Sequence, residues 1–586
     1  CNEGKMEWPH GFALSGSSII NHMVHVRGNS IDYDRWEAMG NPGWSYKDMF
    51  PYFLKSEDSH LQMQDEGYHN VGGYLSVSDV PFRTKAADAY IKAAQEAGHP
   101  YVDYNGKNQL GVSYVQSTTL KGRRCSAEKS FLRPVRKRPN LKIQTIIFIC
   151  RKQLQLNTGG KPNKPHPILI ECSNSKVRTA ILTKAKKLKG TGIFISPYYP
   201  SEEYQKKKRL FHCQNTARQQ GMIATIKCYS LVIDGESYSL DNLEIQPFMN
   251  FSTDHHSSKS TLHRSDSVSS ITSSSSQKRQ LEQDDPIITV PAKKNLRIPV
   301  IQDLPVGVEM YDHPTFPGIF FRLNESIGID LLKELTSSMT FSQYFRESRG
   351  FFSSIGGIEA MTYIRTNVSS DPDLSYPDME LLFLAGSFNT DYGVTYRTLL
   401  NIPPTMYNAI WRPLEGKPVY QVFPMLVHPK SRGYIELRSR DPLDSPKFYA
   451  NYLSDPENHD VRTFIAAIRE IQRISQSPSL QRYGAKIVDT KIPGCEGYQF
   501  NSDEYWECSL RTIIGSLYHQ VATCKMGPKN NGASVVDPRL KVHGIKQLRV
   551  VDTGVIPLPL TAHTNVPAYA IGEKAADLIK SDWFNN

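Results

Sequence analysis

Several things are missing from this chain, and each absence narrows what it is. No apolar run approaches the roughly 20 residues that a helix needs to cross a membrane. Cysteine is scarce: nine in 586 residues are too few for a disulfide scaffold. No CxxC pair or Cys/His array has zinc spacing, so no metal site is expected. There is no GxGxxG, the strand-to-helix turn that seats a dinucleotide pyrophosphate with an acidic residue beyond it on the ribose. The chain opens at Cys1, with neither an initiator Met nor a signal peptide, and the expectation is a fragment or an incomplete gene model.

What is present is length and an uneven charge. With 586 residues the chain can build large cores and more than one domain. The net charge of +11 is concentrated between Ile146 and Leu296, where 22 Lys+Arg face 12 Asp+Glu. Outside that block 47 positive charges meet 46 negative ones, so a near-neutral protein carries a basic block set into it.

Local signals place the scaffold. Helices are expected over Asp32–Met39, ended by Gly40-Asn41-Pro42-Gly43, and from a Ser45/Asp48 capping arrangement to about Ser56. Another is expected over Lys85–Ala97, between Thr84 and Gly98. Val461, Phe464, Ile465, Ile468, Ile471 and Ile474 form one apolar stripe, which makes Val461–Ile474 the clearest helix and its stripe core packing. Val419–Val427 and Gly433–Ser439 read as strands joined by a turn at His428–Gly433.

Two histidines stand out near the C-terminus. His519 lies in Tyr518-His519-Gln520-Val521-Ala522-Thr523-Cys524, and His563 sits between an expected strand, Gln547–Asp552, and an expected helix, Asn565–Lys580. Histidine is the side chain suited to acid/base work near neutrality. A lone histidine is more often structural, and pattern alone leaves this pair at even odds.

The surroundings shift those odds. YHQVATCKMGP, VVDPRLKVHGIKQLRVVDTGVIP and TAHTNVPAYAIGEKAADLIK closely resemble the C-terminus of the glucose-methanol-choline (GMC) flavin oxidoreductases, nearest to their insect members. The resemblance implies that His519 and His563 face the reactive edge of FAD, one taking the hydroxyl proton of an alcohol while its carbon yields a hydride. Near the N-terminus, Gly11–Asn21 reads as a small-residue turn entering a helix, and with HMVHVRGNSIDYDRWEAMG behind it resembles the family's flavin-lining loop. By that resemblance Gly16, Ser17, Ser18 and Asn21 contact FAD, as do Asp552, Asn565 and Val566 beside the last helix. Phe12, Ser15 and His25 depart from the family pattern, and the Cβ of Ser15 is expected to obstruct a close backbone approach.

The resemblance stops near Thr145. A Lys-rich stretch, Ala180–Ser239, instead resembles the C-terminal domain of the RNA-binding first open-reading-frame protein of LINE-type retrotransposons, with Lys206, Lys207, Lys208 and Arg209 placed to meet phosphates. A solvated helix face is the blander reading of that run. Ser-rich Phe251–Asp285 is expected to be disordered. Family resemblance resumes at Arg297.

The implied fold is α/β plus α+β: an incomplete FAD-binding Rossmann-type domain with an antiparallel-sheet substrate domain, interrupted by a basic insert. The expected divisions are 1–145, 146–296, 297–503 and 504–586. The implied function is FAD-dependent oxidation of the CH–OH group of an alcohol or sugar, with quinone or oxygen as electron acceptor. An extracellular setting also follows from the resemblance, in which Cys495 and Cys508 either pair or stay as thiols and the sequons at Asn324 and Asn367 are usable. Two alternatives remain: a catalytically inactive fragment or chimera that cannot hold FAD, and a nucleic-acid-binding chimera working through 180–239.

Overall fold

The computed structural model describes residues 8–11, 13–141, 143, 224–227, 230–233, 236–239, 300–441 and 444–584. The chain divides into two compact units, Cys1–Arg138 with Pro286–Asn586, and Pro139–Asp285. In the second unit, strands Ala224–Lys227, Ser230–Ile233 and Glu236–Ser239 pair antiparallel in sequence order. The Lys206–Arg209 run and the Ser-rich Phe251–Asp285 tract lie outside the described residues.

In the first unit the expected helices form where their caps place them. Helix α1, Ser30–Ala38, starts with a capping box in which Asn29 Oδ1 accepts from the N–H of Ile31 and Asp32 accepts from that of Asn29. Helix α2, Tyr46–Ser56, follows Ser45, whose hydroxyl donates to Asp48 at 2.7 Å. Helix α3, Lys85–Glu96, is capped by Thr84 accepting from Ala87 N–H and presents an alanine-rich buried face. Helix α4, His459–Ser475, buries Val461, Phe464, Ile468, Ile471 and Ile474, with Ile465 partly buried beside them.

Helices α3 and α4 pack on an antiparallel sheet. Its strands are β1 (Gly111–Tyr114), β2 (Pro314–Thr315), β3 (Phe320–Arg322), β4 (Ile358–Ile364), β5 (Met379–Leu384), β6 (Val419–Leu426), β7 (Lys486–Ile487) and β8 (Gly515–Ser516). The spatial order is β7-β3-β6-β5-β4-β1, and β2 bridges β6 to β8. Every residue of β5 and β6 is buried, so both faces of the sheet centre are covered and the sequences MELLFL and VYQVFPML show no polar alternation. Glu380 and Gln421 are the two polar residues, both without exposed surface, and Glu380 is the only acid.

Two expected strands differ. Gly433–Ser439 reduces to Tyr434–Glu436 and pairs with Lys447–Tyr449, not with β6. The Asp460 carboxylate on α4 explains this, because it accepts from the N–H groups of Lys430 (2.8 Å) and Ser431 (2.9 Å) and redirects the chain after His428. Gln547–Asp552 forms no strand; only Arg549 bridges, to Lys541, and Leu548 and Val551 are exposed. A strand needs a run of ladder neighbours, and this segment has only that single bridge among the described residues. The last helix, α5, runs Asn565–Phe584 and packs on α2. Cys495 and Cys508 are disulfide-bonded.

Candidate active site

The segment carrying His519 is held against Tyr311–Thr315 as a short antiparallel pair. Tyr311 and Val521 exchange both backbone bonds, Leu517 N–H donates to His313 O, and β2 pairs with β8. Tyr518 and Ala522, flanking His519 and Gln520, both take positive φ, +63° and +74°, a conformation that persists only when surroundings enforce it.

The enforcing group is Asp312. Its Oδ1 accepts from the backbone N–H groups of His313 and His519, both at 2.8 Å. Its Oδ2 accepts from the hydroxyls of Tyr452 and Ser516 at 2.5 Å and from the Gln520 amide at 3.0 Å. Burial raises the Asp312 carboxyl above the usual carboxylate range, against the pull of these donors.

Three imidazoles meet here. The rings of His519 and His563 have centroids 4.7 Å apart, and His313 lies edge to face with His519 at 5.2 Å, Nδ1 to Nδ1 3.0 Å. Burial, then the neighbouring His563 and His313, pushes the His519 ring well below the usual histidine range, so it is neutral with one free lone pair. On its other side His563 Nε2 meets Glu380 Oε1 at 3.1 Å, and Tyr363, opposite Glu380 on β4, donates to Oε2 at 2.7 Å. The sheet thus delivers a fixed carboxylate to one histidine and Asp312 fixes the loop of the other. Such an arrangement can take a proton from a hydroxyl and orient the groups that receive it.

The N-terminal loop approaches the same place through its neighbours. Gly16–Ile19 is a 3-10 turn with Gly16 at φ +54°. Ser18, buried, donates to Ser15 O and accepts from Ala127 N–H, and Asn21 Oδ1 accepts from Arg124 at 2.6 Å. Ser17 is exposed, with its hydroxyl oxygen accepting from Gly11 N–H. Ser15 is turned into the fold, its hydroxyl bonded to Ser126 and Glu128 N–H. His22, just after this turn, is pushed below the usual histidine range by burial, with Arg124 and His563 nearby. The Tyr569 hydroxyl lies beside Ser18 and Asn565 without a well-formed hydrogen bond to either, which brings loop and helix start together. Val566 is buried beneath that helix start. Asp552 is exposed and caps its own turn, accepting from Gly554 N–H at 2.8 Å; its charge reaches Cys524.

A cleft of about 400 Å³, lined by Asp32, Arg35, Tyr376, His428, Lys430 and Arg432 among others, does not include the histidine pair. At its floor, burial raises Asp32 to about 6 although Tyr376, Thr561 and Asn29 all donate to it.

The GMC oxidoreductase family profile matches residues 1–197 and 429–572. Glucose dehydrogenase (FAD, quinone) of Drosophila pseudoobscura pseudoobscura is 31% identical, over 99% of this chain and 76% of its own length. The chain belongs to the GMC oxidoreductase family. Alcohol dehydrogenase (acceptor) of Pseudomonas putida is 27% identical, over 99% of this chain and 83% of its own. Solved structures share the fold: an FAD-dependent oxidoreductase from Chaetomium thermophilum (TM-score 0.57, 20% identity, 98% of this chain and 86% of that one) and pyridoxine 4-oxidase from Mesorbium loti (0.59, 17%, 100% and 86%). The match runs to residue 197, beyond Thr145. This is a family of flavin-dependent dehydrogenases and oxidases acting on alcohol or sugar donors, with FAD as cofactor and an FAD-binding N-terminal domain.

At the start of α5 the residues of this GMC chain fit a flavin. The Asn565 amide nitrogen and Tyr569 hydroxyl are buried without a hydrogen-bond partner. The first N–H groups of a helix also lack intrahelical acceptors and carry its positive end, which suits an electron-rich ring edge. Sequence reasoning missed Asp312, His313, Tyr363 and Glu380. Two signals were there: an Asp-His pair ahead of Pro314, and a lone acid inside the apolar run Met379–Leu384.

Proposed function

We propose that this chain oxidises the CH–OH group of a small alcohol or sugar, with His519 as the main acid/base residue and His563 as its partner. The observation that carries this reading is the partly buried histidine pair, one ring held neutral by desolvation and the other tied to Glu380. The neutral imidazole of His519 accepts the hydroxyl proton, and Glu380 holds the His563 ring in place beside it. FAD, when bound, would supply the hydride acceptor, with a quinone or oxygen as the final electron acceptor. Gly16, Ser17, Ser18, Asn21, Asp552, Asn565 and Val566 are the proposed flavin contacts. Of the basic region 146–296, the part past residue 197, where the family match ends, is read as an addition to the GMC scaffold. The Cys495–Cys508 disulfide supports an extracellular setting, and no described helix is long and apolar enough to cross a membrane.

The alternative reading is a chain that cannot hold FAD and is inactive. The deciding experiment is flavin absorbance of the purified chain, followed by bleaching on adding alcohols and sugars without air. Donor-dependent bleaching that is lost in His519→Ala, with flavin retained, supports the assignment. Unchanged turnover in that variant sinks it, and no flavin uptake selects the inactive reading.

A further inference from the structure

An imidazole serves as a base at only one nitrogen, and the surroundings of His519 decide which. His313 Nδ1 and His519 Nδ1 are 3.0 Å apart, a contact that needs one N–H and one lone pair. His313 is 2% exposed, and burial, with His563 nearby, pushes it down to about 3. It is therefore neutral and carries a single ring proton. The backbone carbonyls of Val427 and Leu560 lie against the same ring, and a carbonyl only accepts. With Nδ1 turned to His519, Nε2 is the ring nitrogen left to donate toward those carbonyls. His313 Nδ1 is then a bare lone pair, and His519 Nδ1 supplies the hydrogen.

We infer that His313 is a positioning residue that sets the tautomer of His519, keeping the proton on its Nδ1 and the lone pair on its Nε2. This rests on the reading of His519 as the acid/base residue. Competing donors and acceptors are engaged elsewhere: His563 Nε2 with Glu380, and Asp312 with the backbone N–H groups of both histidines. His428, whose charge would reach His313, is kept neutral by burial. When the donor's O–H bond breaks and an N–H bond forms at His519 Nε2, the ring becomes imidazolium. Its Nδ1–H then makes a charge-assisted hydrogen bond to His313, stronger than the neutral one before it.

Tautomers are read directly from two-bond proton–nitrogen correlations of the full chain labelled with nitrogen-15 histidine at neutral pH, with or without flavin. The His519 signals are assigned by their loss in His519→Gln. The expected result is the Nδ1–H form in the native chain and in His313→Asn, whose amide oxygen can accept, and a shift toward Nε2–H in His313→Leu. An Nε2–H form of His519 in the native chain overturns the proposal, as does an unaltered pattern in His313→Leu. If the leucine variant does not fold, the native and asparagine spectra decide. In flavin-loaded protein, His313→Leu lowers kcat by on the order of 10²-fold with KM little moved, and His313→Asn restores most of it. An Nδ1–H tautomer in a chain that oxidises nothing leaves the positioning role standing and removes the proposed activity instead.

Discussion

Asp312→Ala tests whether one buried carboxylate shapes the His519 loop. The three side-chain donors on Oδ2, from Tyr452, Ser516 and Gln520, can turn to other partners when the carboxylate goes. The two backbone N–H groups on Oδ1 cannot, because the pairing of Tyr311–Thr315 with Gly515–Val521 holds them in place. Each buried donor left without an acceptor costs about 1–3 kcal/mol, so Asp312→Ala is expected to lose on the order of 2–6 kcal/mol. That is a large share of the roughly 5–15 kcal/mol typical of a folded domain. Asp312→Asn keeps an oxygen for both N–H groups and turns an amide toward hydroxyls that can accept, so its cost is about 1 kcal/mol. The assay is urea unfolding followed by tryptophan fluorescence, accepting the comparison only where the denaturant slope is unchanged. Donor-dependent flavin reduction, measured alongside, should fall further in the alanine variant than stability alone accounts for, because Tyr518 and Ala522 are then free to leave positive φ. An alanine variant within about 0.5 kcal/mol of native would refute the reasoning, since it would show the N–H groups finding other acceptors. If the alanine variant does not fold, the asparagine variant carries the comparison.

Glu359 is buried, accepts from Thr84 N–H and hydroxyl at Oε2, leaves Oε1 unpartnered, and is raised by burial from 4.5 to about 7. Its folded value lies above the unfolded one, so its contribution is complete below the unfolded value and is lost as pH rises toward 7. Glu359→Gln should therefore match native stability near pH 4.5 and exceed it by up to about 3 kcal/mol at pH 8, read from denaturation midpoints; a difference independent of pH counts against it. Glu380→Gln leaves either Tyr363 or His563 without its acceptor, so it should cost about 1–3 kcal/mol and slow donor oxidation while flavin absorbance is kept. Equal turnover in that variant would separate His563 from the chemistry. Cys508→Ser opens a link spanning 13 residues and should lower unfolding free energy by about 3 kcal/mol in non-reducing buffer, with no effect if the thiols are unpaired in solution.

The sequence by itself determined the helices and the family. The cap at Thr84, the Ser45/Asp48 pair and the stripe on α4 act within one or two turns of chain, so they are legible in the sequence, whereas the Asn29 capping box was missed. The segments around His519 and His563 carry the family resemblance in contiguous residues, as does the start of α5. Tertiary structure decided what a contiguous reading does not contain. Gln547–Asp552 has a strand-like composition, yet strand formation depends on neighbours, and it has a single bridge. Gly433–Ser439 was drawn away from β6 by a carboxylate on a helix, Asp460. The partners of the histidines come from 183 residues away for Glu380 and 206 for His313. No local pattern encodes such pairings, because they arise from sheet register and from the burial that makes each unpaired donor or acceptor costly. That same burial turned His519 from a titrating surface group into a neutral imidazole fit to act as a base.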